Sequence, residues 1–274
     1  MTQSDHQVLR VAIGGYGAIG RSIAAHLDKG IAGLKLVAVS AKNIEKTQEH
    51  VKTLSQSVPV VTLNELAGLA DVVVECAPAA VFDDIAEPAI DAARIFVPLS
   101  VGALLSRSAL IEKAEKTGAR IIVPTGALIG LDAVRAAAEG DIHSVKLVTR
   151  KPPQGLAGAP YLIEHNISLN GLTEPLRVFE GTAREGTKGF PANVNVAAAL
   201  SLAGIGPDKT RIEIWADPSV DRNIQHVEVE ADSARFEMTI ENIPSAENPR
   251  SGRITALSAI AALRGLVSPL KVGT

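Results

Sequence analysis

Short apolar runs alternate with segments of helical period through the first half of the chain. Leu9 to Ile13 reads as a buried strand, followed by glycines and a helical pattern from Ala18 to Leu27. Leu34 to Val39, Val58 to Val61, Asp71 to Val74, Ile95 to Val97 and Arg120 to Val123 read as further strands. Ile44 to Leu54, Val81 to Ala93 and Ser108 to Lys116 carry the helical pattern between them. Strands and helices in this alternation predict βαβ units and a parallel sheet. Because such crossovers are right-handed, the expected architecture is a doubly wound sheet with helices on both faces.

The pattern changes after Pro124. A helix is predicted from Leu131 to Ala138. Longer strands follow at Ser144 to Arg150, Leu176 to Thr182, Arg211 to Ala216, His226 to Glu230 and Arg235 to Ile240, with one helix from Val194 to Ala203 among them. Grouped strands with few helices predict an α+β domain on an open, mostly antiparallel sheet. The expected division is a first domain over 1–125 and a second over 126–252. An apolar, Ala-rich C-terminal helix at about 253–268 is expected to pack back on the first domain. The Pro- and Gly-containing stretch Pro152 to Pro160 reads as a mobile loop.

Composition narrows the class. The 274 residues are 46% hydrophobic but only 3% aromatic, so the core must be built from Ala, Val, Leu and Ile. That suits a parallel sheet covered on both faces. A net charge of -3 gives no basic footprint for nucleic acid or for an anionic membrane. The single cysteine, Cys76, excludes an intramolecular disulfide and fits a reducing compartment. The polar start, Met1 to Gln7, has no apolar signal core. No apolar run reaches the roughly 18 residues that span a bilayer. A cytoplasmic protein acting on a small molecule, with neither nucleic-acid nor membrane partner, is the expectation.

Gly15, Gly17 and Gly20 form G-x-G-x-x-G directly after the first strand, with Ala18 and Ile19 opening the helix. The first glycine permits a tight turn. The second lets backbone approach a pyrophosphate, and the third lets helix and strand pack closely. The helix N-terminus then favours the phosphate charge. In this strand–turn–helix context the motif predicts a Rossmann domain binding NAD or NADP. An acidic residue at the end of the second strand would bind the ribose 2′-hydroxyl, but the sequence there is Val39-Ser40-Ala41-Lys42-Asn43. Ser40 is a weak substitute, Lys42 suits a 2′-phosphate, and a merely solvated Lys42 fits equally well.

Several stretches, in order along nearly the whole chain, carry a family resemblance. They are Gly15-Tyr16-Gly17-Ala18-Ile19-Gly20, Val74-Glu75-Cys76-Ala77, Ser100-Val101-Gly102-Ala103-Leu104 and Pro124-Thr125-Gly126-Ala127-Leu128-Ile129-Gly130. Thr149-Arg150-Lys151-Pro152-Pro153, the specific run Phe190 to Ala198, and Asn248-Pro249-Arg250 continue them. Together they resemble the L-aspartate dehydrogenase family. The resemblance implies reversible, NAD(P)-dependent oxidative deamination of L-aspartate through iminoaspartate, which hydrolyses to oxaloacetate or feeds NAD biosynthesis. It also implies an α+β second domain that mediates a homodimer. It places Ala77 against the cofactor, and Ala127 and Asn195 at its nicotinamide side. The family's catalytic histidine lies in an Asn-x-His stretch after Asp-Pro. Here the chain reads Asp217-Pro218-Ser219-Val220-Asp221-Arg222-Asn223-Ile224-Gln225-His226, so Gln225 takes that register.

Proton transfer at neutral pH suits a histidine. His226 is the chosen catalytic candidate, which requires a local bulge to turn it into the site. Without one, the usual acid/base group is missing. His165 is the second candidate, while His6, His26, His50 and His143 lie in a tail, in two helices and before a strand. A dicarboxylic amino acid needs cations or helix starts. Arg150, Lys151 and Asn193 are the chosen substrate contacts, Arg150 for its bidentate fork, with Lys188 a further cation. Structural roles compete with these: an ion pair for Arg150 or Lys151, and N-capping for one of Asn193 and Asn195. Cys76 reads as a packed thiol and Glu75 as a turn cap. No metal-ligand spacing and no G-x-S-x-G motif occurs. Two alternatives to aspartate chemistry stay open. One is a related dehydrogenase or imine reductase for another small dicarboxylate or amino acid. The other is a catalytically silent dinucleotide-binding regulator.

Overall fold

A computed structural model describes residues 8–191, 194–245 and 252–273. Asn193 and the Asn248-Pro249-Arg250 stretch lie outside the described residues. The chain divides into two compact units, Met1–Pro124 with Ala256–Lys271, and Thr125–Thr255 with Val272–Thr274.

The first unit contains β1 (Leu9–Gly14), α1 (Ala18–Asp28), β2 (Leu34–Ser40), α2 (Ile44–Val51), α3 (Leu66–Leu69), β3 (Val72–Glu75), α4 (Asp83–Asp91), β4 (Ile95–Pro98), α5 (Ser108–Thr117) and β5 (Arg120–Ile121). Its five strands run parallel in the order β2-β1-β3-β4-β5. Val11, Ile13, Val72, Val74 and Val97 are fully buried, as continuous apolar strands between two helical layers must be. Ile23 and Leu27 of α1 complete that core. Ala259, Ile260 and Leu263, from the C-terminal helix Ile254–Val267, join the same core.

Four expected elements come out shorter, among them the helix expected from Val81 to Ala93, which spans Asp83–Asp91. Val58 to Val61 gives only a bridge, Val39 with Val60. Pro59 has no N–H to extend a ladder; its carbonyl accepts from the Val39 amide at 3.1 Å, and the Val61 amide donates to the Val39 carbonyl at 2.9 Å. The strand expected to Val123 ends at Ile121, and the helix expected to Leu54 ends at Val51.

The second unit contains α6 (Leu131–Ala137), β6 (Ile142–Lys151), α7 (Pro160–Glu164), β7 (Leu176–Thr182), α8 (Ala183–Gly189), α9 (Asn195–Ala203), β8 (Arg211–Ala216), β9 (Asn223–Ala231) and β10 (Arg235–Asn242), before the C-terminal helix, α10. Its sheet has the order β10-β9-β6-β8-β7; β6 and β8 are parallel and the other pairings are antiparallel. Side chains alternate between two faces along β6 from Ser144 onward and along β8 and β9. The inner face carries Val145, Leu147, Thr149 and Lys151 of β6, Ile212, Ile214 and Ala216 of β8, and Gln225, Val227 and Val229 of β9, all buried. Helices cover this face so closely that a Cβ on Gly186 of α8 would lie 2.2 Å from Ile212 Cδ1. The outer face of the same strands is half-buried to exposed.

The stretch Pro152 to Pro160, read from composition as a mobile loop, is instead a 3-10 turn at Pro153–Gly155 leading into α7. Leu156 is fully buried there, and the amides of Gly155, Leu156 and Ala159 all find backbone carbonyls. Proline and glycine set the turns, while one apolar side chain fixes the segment to the core.

Candidate functional site

In the first unit the glycine motif forms a cradle. Gly15 has φ +100°, and a Cβ there would lie 2.6 Å from the Ala77 amide nitrogen and the Cys76 carbonyl. A Cβ on Gly20 would lie 2.1 Å from the Gly15 carbonyl oxygen. These two glycines are therefore required by the fold itself. Gly17 is different: it is exposed, and a Cβ would meet nothing within 4 Å. It is the N-cap residue of α1 and supplies no side-chain cap, so the first-turn amides of Ala18, Ile19 and Gly20 have no capping side chain. Open space beside helix-start N–H groups is what a pyrophosphate needs, and the residues fit the group.

The surrounding strand ends are tied together. Ser40 is buried, and its carbonyl accepts the Gly15 amide at 2.9 Å. Lys42 is exposed, and Asn43 caps α2 by accepting from the Lys46 amide at 3.0 Å. Glu75 is fully buried and accepts from the amides of Ala77, Leu99 and Ser100 and from the Ser100 hydroxyl, at 2.8–3.1 Å. Burial raises its pKa, against the pull of those donors. Glu75 thus clasps the ends of β3 and β4 and is committed to structure. Burial, and then the Glu75 charge, push the Cys76 thiol well above its usual value, so it is no nucleophile.

In the second unit the expected substrate cations separate. Lys151 is 5% exposed and lies on the inner face of β6; burial holds its pKa down to about 8. Arg150, one residue earlier, points the other way. Its guanidinium stacks 4.8 Å above the Trp215 ring and bonds Asp217 at 3.2 Å. The Asp217 carboxylate, which burial alone would raise, is held below its usual value by Ser219 and Arg150. The choice of Arg150 as a substrate contact alongside Lys151 is therefore corrected: adjacent strand residues cannot share a face.

The same parity decides between Gln225 and His226. The β9 register runs unbroken against β10 from Asn223↔Asn242 to Glu230↔Arg235. Against β6 it is unbroken from Ile224↔Arg150 to Glu230↔Ser144. The bulge needed to turn His226 inward is absent, and His226 as the catalytic group is corrected on that ground. His226 lies on the outer face, with Nδ1 2.8 Å from the Thr239 hydroxyl and Nε2 3.5 Å from Glu228. Gln225 lies inside, 2% exposed, and its Oε1 accepts from the Thr149 hydroxyl at 2.6 Å.

The remaining candidates are placed as follows. Asn195 is the first residue of α9, whose N-cap is Val194, so Asn195 is not the capping residue. The Ala127 carbonyl accepts from Asn242 Nδ2 at 3.1 Å. His165 is exposed and stacked on Tyr161 with ring centroids 3.9 Å apart. A cavity of about 460 Å³ lined by Pro152, Gln154, Leu172, Pro218 and Asp221 contains none of the sequence candidates. Among the described residues no three His, Cys, Asp or Glu side chains gather as a metal site, and no helix is long and apolar enough to cross a membrane.

Comparisons with known proteins bear on both units. Residues 15–124 match the family described as homoserine dehydrogenase, NAD binding domain, and residues 132–266 match aspartate dehydrogenase, C-terminal. The L-aspartate dehydrogenase of Bradyrhizobium diazoefficiens is 56% identical over 99% of this chain and 96% of its own. L-aspartate dehydrogenase 3 of Bordetella bronchiseptica is 54% identical over 99% of this chain and all of its own. The chain belongs to the L-aspartate dehydrogenase family. The crystal structure of the Thermotoga maritima aspartate dehydrogenase shares its fold, with a TM-score of 0.71 at 24% identity, covering 97% of this chain and 99% of that one.

Against the histidine that the family resemblance implies, this L-aspartate dehydrogenase family member presents Gln225 to the inner face. Thr149, Asn223 and Asn242 are polar inner-face residues that sequence reasoning passed over. Parity carried the signal in β9: Gln225 is in phase with Val227 and Val229, and His226 with Glu228 and Glu230. A polar residue in phase with a core stripe marks a built site or an error.

Proposed function

We propose that this chain catalyses the reversible, NAD(P)-dependent oxidative deamination of L-aspartate to iminoaspartate, and so to oxaloacetate and ammonia. The observation that carries the reading is the full-length identity of 56% to a curated L-aspartate dehydrogenase, which spans the glycine cradle and the second sheet alike. The dinucleotide supplies a two-electron acceptor when bound. Gly15, Gly17, Ala18, Ile19 and Gly20 hold its pyrophosphate, with Ala77 beside them. Ser40 and Lys42 meet the adenosine ribose end, and an exposed Lys42 suits NADP as well as NAD. Ala127 and Asn195 serve the nicotinamide end. Lys151 and Asn193 contact the substrate.

The test is absorbance of NADH and NADPH with oxaloacetate and ammonia, and the reverse reaction with L-aspartate. Turnover in both directions is the expected result. Cofactor binding without turnover would move the reading to another small dicarboxylate or amino acid, or to a silent dinucleotide-binding regulator. The buried Gln225 in the histidine's register is the observation favouring that second reading.

The reading includes a cytoplasmic homodimer. The outer face of the second sheet offers Val148 and Trp215, flanked by charges already paired across its own strands, Lys146 with Glu213, Arg177 with Glu180 and Arg235 with Glu230. A two-fold axis would lay the Val148 and Trp215 patch on the same patch of a second copy. Light scattering should give twice the chain mass, and Trp215→Glu should give one; a wild-type mass of one chain would reject the dimer.

A further inference from the structure

We infer that Lys151 is the proton-transfer residue of this enzyme, taking the role that a histidine at the register of Gln225 would have played. The inference rests on the aspartate dehydrogenase reading and deepens it.

Three observations converge on Lys151. First, no described histidine of the second unit reaches the inner face. His226 is on the outer face, and His143 and His165 are exposed. In the first unit His26 bonds the Ser22 carbonyl and His50 the Tyr16 hydroxyl. Second, the inner-face residue in the histidine's register cannot titrate. Gln225 is an amide, anchored by the Thr149 hydroxyl, so it orients a partner without exchanging protons with it. Third, Lys151 shares that face. It follows Thr149 by two residues on β6, and Thr149 stands directly opposite Gln225. The Cβ position of Gly155 lies 3.8 Å from Lys151 Cβ and 4.0 Å from Asn223 Oδ1, which places Lys151 and Asn223 around the same turn.

The surroundings suit a lysine that changes charge. Ala216 of β8 pairs with Lys151, and the Lys151 carbonyl accepts the Asp217 amide at 2.8 Å. Asn223 and Gln225 come from β9, and Gly155 from the turn. Of these neighbours Asp217 alone titrates, and its carboxylate is held by Ser219 and Arg150. Burial lowers the Lys151 pKa to about 8, within reach of neutral conditions. A buried lysine that is part neutral near its working pH serves as a general base, which an arginine cannot do.

In the oxidative direction the neutral Lys151 amine removes one proton from the substrate ammonium and becomes an ammonium itself. The released nitrogen lone pair forms the second C–N bond as the Cα–H bond breaks. The hydride so released needs a two-electron acceptor, which an oxidised nicotinamide dinucleotide would supply when bound. Lys151 returns its proton to water between turnovers.

The experiment compares wild type with Lys151→Arg, Lys151→Ala and His226→Ala, each first checked for an unchanged dinucleotide Kd. Two readouts are taken. One is kcat and KM for L-aspartate against pH. The other is the affinity for succinate, a non-reacting dicarboxylate, against pH in the presence of the dinucleotide. In wild type, kcat/KM should climb and succinate affinity should fall as pH rises through about 8. Lys151→Arg keeps a cation, so succinate should bind with no pH dependence, while kcat falls by ~100-fold or more. Lys151→Ala, which does not require a larger side chain to fit, should lose kcat similarly and recover part of it with ethylamine. His226→Ala should keep kcat within about twofold of wild type. Turnover by Lys151→Arg at the wild-type rate with the same pH limb, or a succinate affinity flat with pH in wild type, overturns the inference while the functional reading stands. No turnover of L-aspartate by wild type overturns both.

Discussion

Gly17→Val should melt where the wild-type protein melts yet fail to hold a dinucleotide, while Gly15→Ala should lose stability before any ligand is added. The two glycines sit in one loop and differ in what a side chain would meet. At Gly15 the backbone has φ +100°, a region that L side chains rarely adopt, and a Cβ would lie 2.6 Å from backbone atoms of Cys76 and Ala77. Backbone of a neighbouring strand end cannot step aside as a flexible side chain can. Strain and overlap together should cost about 2–4 kcal/mol, lowering the Tm by roughly 5–15 °C. At Gly17 a Cβ meets nothing within 4 Å, and φ is -77°, which any residue adopts. The space it enters is the space the pyrophosphate needs. A branched side chain there should weaken dinucleotide binding by ~100-fold, on the order of 3 kcal/mol, at unchanged Tm. Scanning calorimetry without cofactor and titration of NADH fluorescence separate the two effects. A stable Gly15→Ala, or a Gly17→Val that binds normally, would refute this account of the cradle.

Lys151→Met should stabilise the protein, and the gain should depend on pH. The folded-state pKa of Lys151 is about 8 against an ordinary 10.5, with burial as the cause. Below about pH 8 the lysine is charged in both folded and unfolded chains, and the folded chain bears the whole desolvation penalty. That interval corresponds to about 3 kcal/mol. Between about pH 8 and 10.5 the unfolded chain binds the extra proton, so wild-type stability rises with pH across that window. Above it both states are neutral and the penalty is gone. Methionine matches the length of the stem and carries no charge. Lys151 makes polar interactions that the variant gives up, which offsets about 1 kcal/mol. The net gain is about 2 kcal/mol below pH 8, vanishing toward pH 10.5. Denaturant melts at pH 7 and 10 would show it; equal differences at both would mean that Lys151 titrates as it does in water. A lysine retained at such an energetic disadvantage is what a functional group in a core position looks like.

These predictions draw on features of unequal visibility in the sequence. Gly15, Gly17 and Gly20 were legible because the motif, the strand before it and the helix after it are all local. Their different jobs were not. What crowds Gly15 and Gly20 comes from Cys76, Ala77 and the Gly15 carbonyl; what leaves Gly17 open is the absence of such neighbours. Thr149-Arg150-Lys151 was legible as a basic strand end, but Val148 at an outer position blurs the apolar parity of β6, so the inward residue could not be told from the outward one. In β9 the parity is clean, and the bulge invoked to keep His226 inside has no support in either ladder.

The sequence by itself determined the order and kind of most elements, though not the short helices α3, α7 and α8, and it determined the two-part organisation and the dinucleotide loop. All of these follow from periodicity and turn chemistry acting within a few residues. Only the tertiary structure decided which face of the second sheet is covered. That choice belongs to α8 and its neighbours, far away in sequence, and it sorts every strand residue by parity at once. Lys151 and Gln225 went inside and Arg150 and His226 outside because a strand offers two faces and the helices cover one of them.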